Sequence, residues 1–168
     1  MVLNSEHIKE VSDVLKARGE TIAVAESTTG GLISAQLLSV PGASAYFLGG
    51  TIIYTGLSRK VFLDASAEKL QGVKPLTKEM AIFFARQVRE KLAATWGIAE
   101  LGLAGPTGSA YGYEAGNSVI AVSGPIEAAV RINTGHNDRA RNMEEFTACA
   151  CQLLRDVLLN PEDHQKRS

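Results

Sequence analysis

The strongest constraint on the fold is a short apolar run that leads, through a polar bend, into a second apolar segment of helix length. Residues 22–25 are Ile-Ala-Val-Ala, a run typical of a buried strand. From residue 32 onward the apolar residues continue over the length of a short helix, and Glu-Ser-Thr-Thr-Gly-Gly fills positions 26–31 between the two segments. The sequence therefore predicts a strand that passes through a tight bend into a helix.

This bend brings polar groups to a position suited to anion binding. A helix N-terminus presents unpaired backbone N–H groups and the positive end of the helix dipole, so it can stabilise an anion or a developing oxyanion. Gly30 and Gly31 allow the backbone to approach a ligand closely. Ser27 could act as a nucleophile at this bend, but spacing alone allows equally that Ser27 and the threonines cap the helix.

Helical and strand patterns alternate along the rest of the chain. This order predicts an α/β fold with three α/β/α layers and a mixed sheet, in a single domain over residues 1–168, structured over about 5–158 and followed by a frayed polar tail over 161–168. The predicted helices cover residues 5–18, 31–39, 58–63, 77–95 and 138–159, with Gly97 taken as the end of the fourth. The predicted strands cover residues 21–25, 51–54, 98–103, 119–122 and 128–132.

A second glycine-rich bend, Gly102–Gly108, also follows a predicted strand. Because ligands of open α/β sheets bind beyond the carboxyl ends of the strands, the two bends are expected to share one pocket. Arg139 and Arg141 begin the last helix, where the dipole disfavours cations, so pairing with Asp138 or contact with an anion would explain them.

Charge and hydropathy exclude several classes of partner. The chain of 168 residues has a formal net charge of −1, which argues against binding to nucleic acid or to an anionic membrane. It contains neither a signal-peptide pattern nor an apolar run long enough to span a membrane, so a cytoplasmic location is expected. A targeting segment removed from a precursor would leave no trace in the sequence.

The cysteines and histidines give no sign of a metal site. Cys149 and Cys151 are two positions apart on a predicted helix, so their side chains point in different directions and a mutual disulfide is not expected. No set of cysteines and histidines has zinc-binding spacing, and no cofactor is predicted.

Four separated segments resemble, in order, the motifs of the CinA C-terminal domain family. The bend at residues 26–31 is similar to its Glu-Ser-Cys-Thr-Gly-Gly signature, and the loop at residues 102–108 to its Gly-Ile-Ala-Gly-Pro-x-Gly loop. The resemblance extends over roughly residues 5–158. The matching positions are Glu26, Ser27, Thr29, Gly30, Gly31, Pro41, Gly42, Ala45, Tyr54, Gly102, Ala104, Gly105, Pro106, Gly108 and Gly116.

The resemblance implies an amidohydrolase that converts the carboxamide of a pyridine nucleotide, such as nicotinamide mononucleotide, to the acid and ammonia. It implies a small-molecule substrate, a serine nucleophile and a homo-oligomer, and small α/β proteins of this sort often form symmetric oligomers. The candidate catalytic residues are Ser27, Tyr54, Arg59 and Lys60. The candidate substrate-binding residues are Glu26, Thr28, Thr29, Gly30, Gly31, Gly105, Pro106 and Gly108.

One departure from the family pattern concerns the chemistry directly. The lysine that is the proposed partner of the family serine aligns with Arg59, which stays protonated and cannot act as a general base. Arg59 could clamp an anion through its planar fork, or it could be a solvated helix residue. Lys60 could replace the base only if the helix shifts by one position, about 100° around its axis.

Two functions therefore follow from the sequence. One is the amidohydrolase, and the other is a catalytically weakened or inactive family member that acts as a nucleotide-binding or regulatory protein. In both cases Ser27, Tyr54, Arg59 and Gly105 are expected to line one pocket, because each lies just after a predicted strand in a segment that matches a family motif.

Overall fold

A mixed five-stranded sheet forms the centre of the molecule, in the order β2-β1-β3-β4-β5. The computed structural model describes residues 6–165, with side chains described up to residue 163. The central strand β3 pairs in parallel with β1, which pairs in parallel with β2, whereas β4 and β5 are antiparallel additions. The strands are β1 (Ile22–Glu26), β2 (Phe47–Ile52), β3 (Trp96–Gly102), β4 (Asn117–Ser123) and β5 (Glu127–Asn133).

Helices cover both faces of this sheet, so the predicted three-layer α/β/α fold is confirmed. The core on one face is formed by the first, second and fifth helices, and the core on the other face by the fourth helix with the end of the third. None of the described helices is long and apolar enough to cross a membrane. They are α1 (Glu6–Arg18), α2 (Leu32–Leu38), α3 (Gly56–Leu63), α4 (Lys78–Lys91), α5 (Arg139–Leu159) and α6 (Pro161–Gln165).

Successive side chains of a strand point to opposite faces of the sheet, so the two cores receive different residues from the same strand. In β1, Ile22 and Val24 pack towards α1 and α5, whereas Ala23 and Ala25 pack towards α4. The α4 face is built from small residues at several positions, and this allows the helix to approach the sheet closely. At Gly97 a Cβ atom would overlap the carbonyl oxygen of Ala85 in α4.

Several predicted boundaries are corrected by the structure. The strand predicted over 51–54 lies at Phe47–Ile52. It is an edge strand with two central glycines, and its residues alternate between half-buried and exposed. The sequence signal for a strand is therefore weak over its first residues, and the prediction began too late. The helix predicted to reach residue 95 ends at Lys91, and Gly97 belongs to β3 rather than to a helix end. Ala93 has φ 50°, and the chain then enters the sheet.

The terminal segments also differ from expectation. Residues 161–165 form the short helix α6 instead of a frayed tail, whereas the predicted tail at 166–168 and the predicted helix start at residue 5 lie outside the described residues.

Gly97→Ala should destabilise the protein, since the new methyl group meets helix backbone that cannot move independently of α4. Overpacking of this kind costs about 2 kcal/mol in the free energy of unfolding, which corresponds to a fall in Tm of roughly 6 °C. Thermal unfolding followed by circular dichroism measures the change. Gly56→Ala is the matched control, because a Cβ at Gly56 meets nothing within 4 Å, and an equal Tm for the two variants would contradict the packing described here.

Candidate active site

A cavity of about 390 Å³ lies beyond the carboxyl ends of β1, β2 and β3. Because these three strands are parallel, the segments that follow them meet at one edge of the sheet. Ser27, Tyr54, Arg59 and Gly105 all line this cavity, so the prediction that they share one pocket is confirmed. The other lining residues are Thr28, Gly102, Leu103, Ala104, Thr107, Gly108 and Arg139.

Glu26 caps the helix that follows the bend. Its side chain is only 1% exposed, and its two oxygens accept hydrogen bonds from the first turn of α2 and from the bend. The donors are the backbone N–H groups of Gly31, Ile33 and Ser34 at 2.8–3.0 Å and the hydroxyls of Thr29 and Ser34 at 2.8 and 2.6 Å. The helix N-terminus that was expected to hold an anion is therefore occupied by the protein's own carboxylate, and the capping role lies with Glu26 rather than with Ser27.

A second buried carboxylate, Glu100 at the end of β3, lies directly beneath the bend. Its side chain is fully buried, and it accepts hydrogen bonds from the backbone N–H groups of Ser27 and Thr29 at 3.2 and 3.0 Å. Thr28 Oγ1 donates to Glu100 Oε1 at 2.5 Å, and the Ser118 hydroxyl lies 3.1 Å from the same oxygen. Burial raises the pKa of Glu100, and these hydrogen bonds partly oppose the rise.

The importance of Glu100 is not evident from motif spacing. The signal that the sequence does contain is a single acidic residue within an apolar strand, at positions 98–103. Buried carboxylates are rare unless they are hydrogen-bonded, so such a residue indicates a built polar site.

Arg59 is oriented at the cavity wall by contacts of its guanidinium group. Its Nε donates to the carbonyl oxygen of Ile53 at 3.1 Å, and its guanidinium carbon lies 5.5 Å from the centroid of the Phe84 ring. Burial lowers the pKa of Arg59 from the ordinary arginine value. The ordinary pKa of arginine is so far above neutral pH that Arg59 remains protonated. Thr55 and Ser58 form a capping box that sets the start of α3 and hence the direction of Arg59.

Lys60, the next residue of α3, is exposed and is not among the residues that line the cavity. The structure keeps Arg59 in the register that brings it to the cavity, so the shift required for Lys60 to replace it does not occur here.

Arg139 contributes a second guanidinium group from the first residue of α5. Its Nη1 donates to the carbonyl oxygen of Gly105 at 2.7 Å, and its Nη2 donates to the Tyr54 hydroxyl at 3.1 Å. Arg141 instead pairs with Glu145 at 2.7 Å and does not line the cavity. The two arginines at the start of this helix therefore have different roles. Arg139 lines the cavity, and Arg141 forms an ion pair along the helix.

The glycines of the two bends have different roles. Gly105 has φ 104°, and a Cβ atom there would lie 2.7 Å from the carbonyl oxygen of Asn137, so a larger residue would not fit. Gly108 lines the cavity, whereas Pro106 lines a neighbouring cavity together with Gly108. Gly30 and Gly31 shape the turn with φ 62° and 104° and do not line the cavity.

An apolar cavity of about 420 Å³ adjoins the first one and shares Arg59, Gly102 and Leu103 with it. Its walls include Leu70, Val73, Leu76 and Met80. In the part of the chain that the structure describes, no group of three or more His, Cys, Asp or Glu side chains is placed to hold a metal ion.

Residues 4–158 match the family model of the CinA C-terminal domain. The chain belongs to the CinA C-terminal domain family. It is 41% identical over 115 residues to a CinA-like protein of Acaryochloris marina and 34% identical over 148 residues to a CinA-like protein of Salinibacter ruber. The alignments cover 68% and 88% of this chain but only 27% and 36% of those relatives, so the chain spans about a third of their length.

Solved structures show the same fold. The chain superposes on the competence damage-inducible protein A of Klebsiella pneumoniae with a TM-score of 0.86 and 24% identity, over 95% of this chain and 99% of that one. A competence/damage inducible protein of Agrobacterium tumefaciens gives a TM-score of 0.78 and 24% identity, over 92% and 97%. At this identity the likeness concerns the CinA fold alone.

Glu26→Gln should destabilise this CinA domain, because the amide nitrogen cannot accept the backbone N–H bonds of α2. Hydrogen bonds to a charged group contribute about 1.5–3 kcal/mol, so we expect a loss of about 2 kcal/mol and a Tm lower by roughly 6 °C. The exposed Glu68→Gln provides the matched control. If Glu26→Gln kept the parent Tm and only weakened ligand binding, Glu26 would be a substrate contact and not a cap.

Proposed function

We propose that this chain is a CinA-type amidohydrolase that cleaves the carboxamide of a pyridine nucleotide, such as nicotinamide mononucleotide, to the acid and ammonia. The observation that carries the proposal is one cavity that is lined by two hydroxyl-bearing residues, Ser27 and Thr28, and by two arginines, Arg59 and Arg139. Membership of the CinA C-terminal domain family supports it.

Size and charge suit a mononucleotide. The cavity volume of about 390 Å³ falls within the range of small-molecule sites. Arginine binds phosphate through two parallel hydrogen bonds, so Arg139 and Arg59 would favour a ligand with an anionic group. The partly apolar cavity beside them could receive a flat ring through the shared wall at Gly102 and Leu103.

The reaction needs a hydroxyl nucleophile, donors for the oxyanion and a proton acceptor. The family resemblance implies that Ser27 attacks the carboxamide carbon, and Thr28 is the neighbouring hydroxyl on the same wall. Backbone N–H groups of the Gly105–Gly108 loop would stabilise the oxyanion. Ammonia then leaves, and water releases the acid from the acyl-enzyme.

Helix α3 offers the cavity no proton acceptor. Arg59 remains protonated, and Lys60 lies outside the lining residues. This observation favours the second candidate function, a nucleotide-binding or regulatory protein that retains the pocket without turnover.

Ammonia release from a panel of carboxamides separates the two functions. We expect turnover with nicotinamide mononucleotide and a kcat/KM lower by about 10-fold or more with the riboside and with free nicotinamide, because a phosphate held by charged hydrogen bonds contributes about 1.5–3 kcal/mol. Arg139→Gln should weaken this preference, because Arg59 alone would then face the phosphate, and Arg141→Gln should keep it. Binding of the mononucleotide without ammonia release from any carboxamide would leave the regulatory function.

Arg59→Lys tests two explanations for the arginine at the position of the family lysine. Either Arg59 binds an anion of the ligand, or its presence means that the general base of the family is missing. We expect ligand affinity to fall about 10-fold without a gain in kcat, because lysine lacks the bidentate fork and its Nζ cannot reproduce the contact with Ile53. Titration calorimetry and steady-state kinetics give the two quantities, with Lys60→Ala as the control. A kcat increase of about 10² would instead show that a general base was missing, and loss of activity in Lys60→Ala would make Lys60 the base.

A further inference from the structure

The cavity wall already contains a hydroxyl that is hydrogen-bonded to a buried carboxylate. Thr28 is 6% exposed and lines the cavity, and its Oγ1 donates to Glu100 Oε1 at 2.5 Å. A nucleophile and a base within hydrogen-bond reach are the structural mark of an activated nucleophile. Here the base comes from β3 and not from α3.

We propose that Glu100 is the general base of this site and that it acts on the Thr28 hydroxyl, so that Thr28 rather than Ser27 attacks the substrate. The inference rests on the proposed carboxamide hydrolysis and reassigns its nucleophile and its base.

The contacts of Ser27 with the same carboxylate are of a different kind. The backbone N–H of Ser27 donates to Glu100 Oε2 at 3.2 Å and to the Glu100 carbonyl oxygen at 3.0 Å. Within the described part of the chain, these contacts fix the position of Ser27 without engaging its hydroxyl. Thr28 therefore has a hydroxyl proton directed at a carboxylate, which Ser27 lacks.

Gly102 lies directly against this pair and has no side chain to displace it. A Cβ atom on Gly102 would lie 2.5 Å from Thr28 Oγ1 and 2.6 Å from Glu100 Oε1, and Gly102 itself lines the cavity. Any side chain at this position would press on both oxygens. The same Cβ atom would lie 2.8 Å from the Phe146 ring, so no side chain fits here, and glycine at this position allows the Thr28–Glu100 hydrogen bond to form beside the cavity.

The surroundings of Glu100 suit a proton acceptor. Burial raises the pKa of Glu100 above that of an ordinary glutamate. A general base works best when its pKa is close to the pH of the reaction, so this shift favours proton uptake by Glu100. Glu26 lies opposite on β1 and shares the Thr29 hydroxyl with it, at 2.8 Å from Glu26 and 3.1 Å from Glu100. Arg59 is a positive group close enough for its charge to interact with that of Glu100.

The steps balance without a cofactor. Thr28 Oγ1 forms a bond to the carboxamide carbon while its proton passes to Glu100 Oε1. The C–N bond then breaks, and Glu100 returns the proton to the leaving nitrogen, so that ammonia departs and an acyl-threonine remains. Water attacks the ester, gives its proton to Glu100, and releases the acid, after which the proton returns to Thr28.

Labelling with an aryl sulfonyl fluoride tests the activated hydroxyl independently of any carboxamide. The reagent transfers its sulfonyl group to a nucleophilic oxygen and releases fluoride, and fragment-ion sequencing distinguishes residue 27 from residue 28. We expect the label on Thr28, a rate that rises with pH as Glu100 loses its proton, and retention of the label in Thr28→Ser. In Glu100→Gln the rate should fall by about 10²-fold or more, and its pH dependence should disappear.

Thr28→Val keeps the shape of the side chain and removes the hydroxyl, so it should abolish both labelling and ammonia release. Thr147→Val is the matched control, because Thr147 is buried in α5, where its hydroxyl donates to the Met143 carbonyl oxygen away from the cavity. A label on Ser27, no label on the parent, or parent-like labelling in Glu100→Gln would each overturn the inference.

The two proposals fail in different ways. Ammonia release that persists in Thr28→Val and Glu100→Gln would uphold the hydrolysis and overturn the Thr28–Glu100 pair. Labelling at Thr28 that depends on Glu100, without ammonia from any carboxamide, would uphold the pair and overturn the hydrolysis.

Discussion

Two buried carboxylates at matched positions of adjacent strands organise the site. Glu26 and Glu100 are register partners in the parallel pair of β1 and β3, and both are almost completely buried. Burying an ionisable group is costly unless hydrogen bonds replace its water. The bend after β1 and the first turn of α2 supply these bonds. Their N–H groups and the hydroxyls of Thr28 and Thr29 donate to one carboxylate or the other, and the Thr29 hydroxyl contacts both. The position of the bend, and therefore of the cavity wall, depends on this arrangement.

The same arrangement separates structural from chemical roles. Glu26 is saturated by the first turn of α2 and lies away from the cavity lining, so its contribution is to the start of the helix. Glu100 is bonded to a side chain that does line the cavity. The two carboxylates have similar burial, but only Glu100 accepts a hydrogen bond from the hydroxyl of a residue that lines the cavity.

Cations on the other walls complete the site. Arg59 is oriented by a carbonyl oxygen and an aromatic ring, and Arg139 by the Gly105 carbonyl oxygen and Tyr54. These contacts pre-orient both guanidinium groups, which lowers the entropy lost on binding an anion. If Glu100 on β3 is the base, as proposed above, the site does not need a lysine on α3 at the position of Arg59.

Local patterns in the sequence determined the α/β layers, the bend after β1 and the glycine loop after β3, and they indicated that Ser27, Tyr54, Arg59 and Gly105 meet at one cavity. These features follow from short-range periodicity and turn chemistry, and the parallel strand ends then bring the segments together. Other features were decided only by the tertiary structure. Glu100 and Thr28 are 72 positions apart, and Arg139 and Tyr54 are 85 apart, so their contacts depend on strand order and register. The edge strand β2 was misplaced because its glycines weaken the local signal, and Arg59 rather than Lys60 faces the cavity because capping at Thr55 sets the rotation of α3.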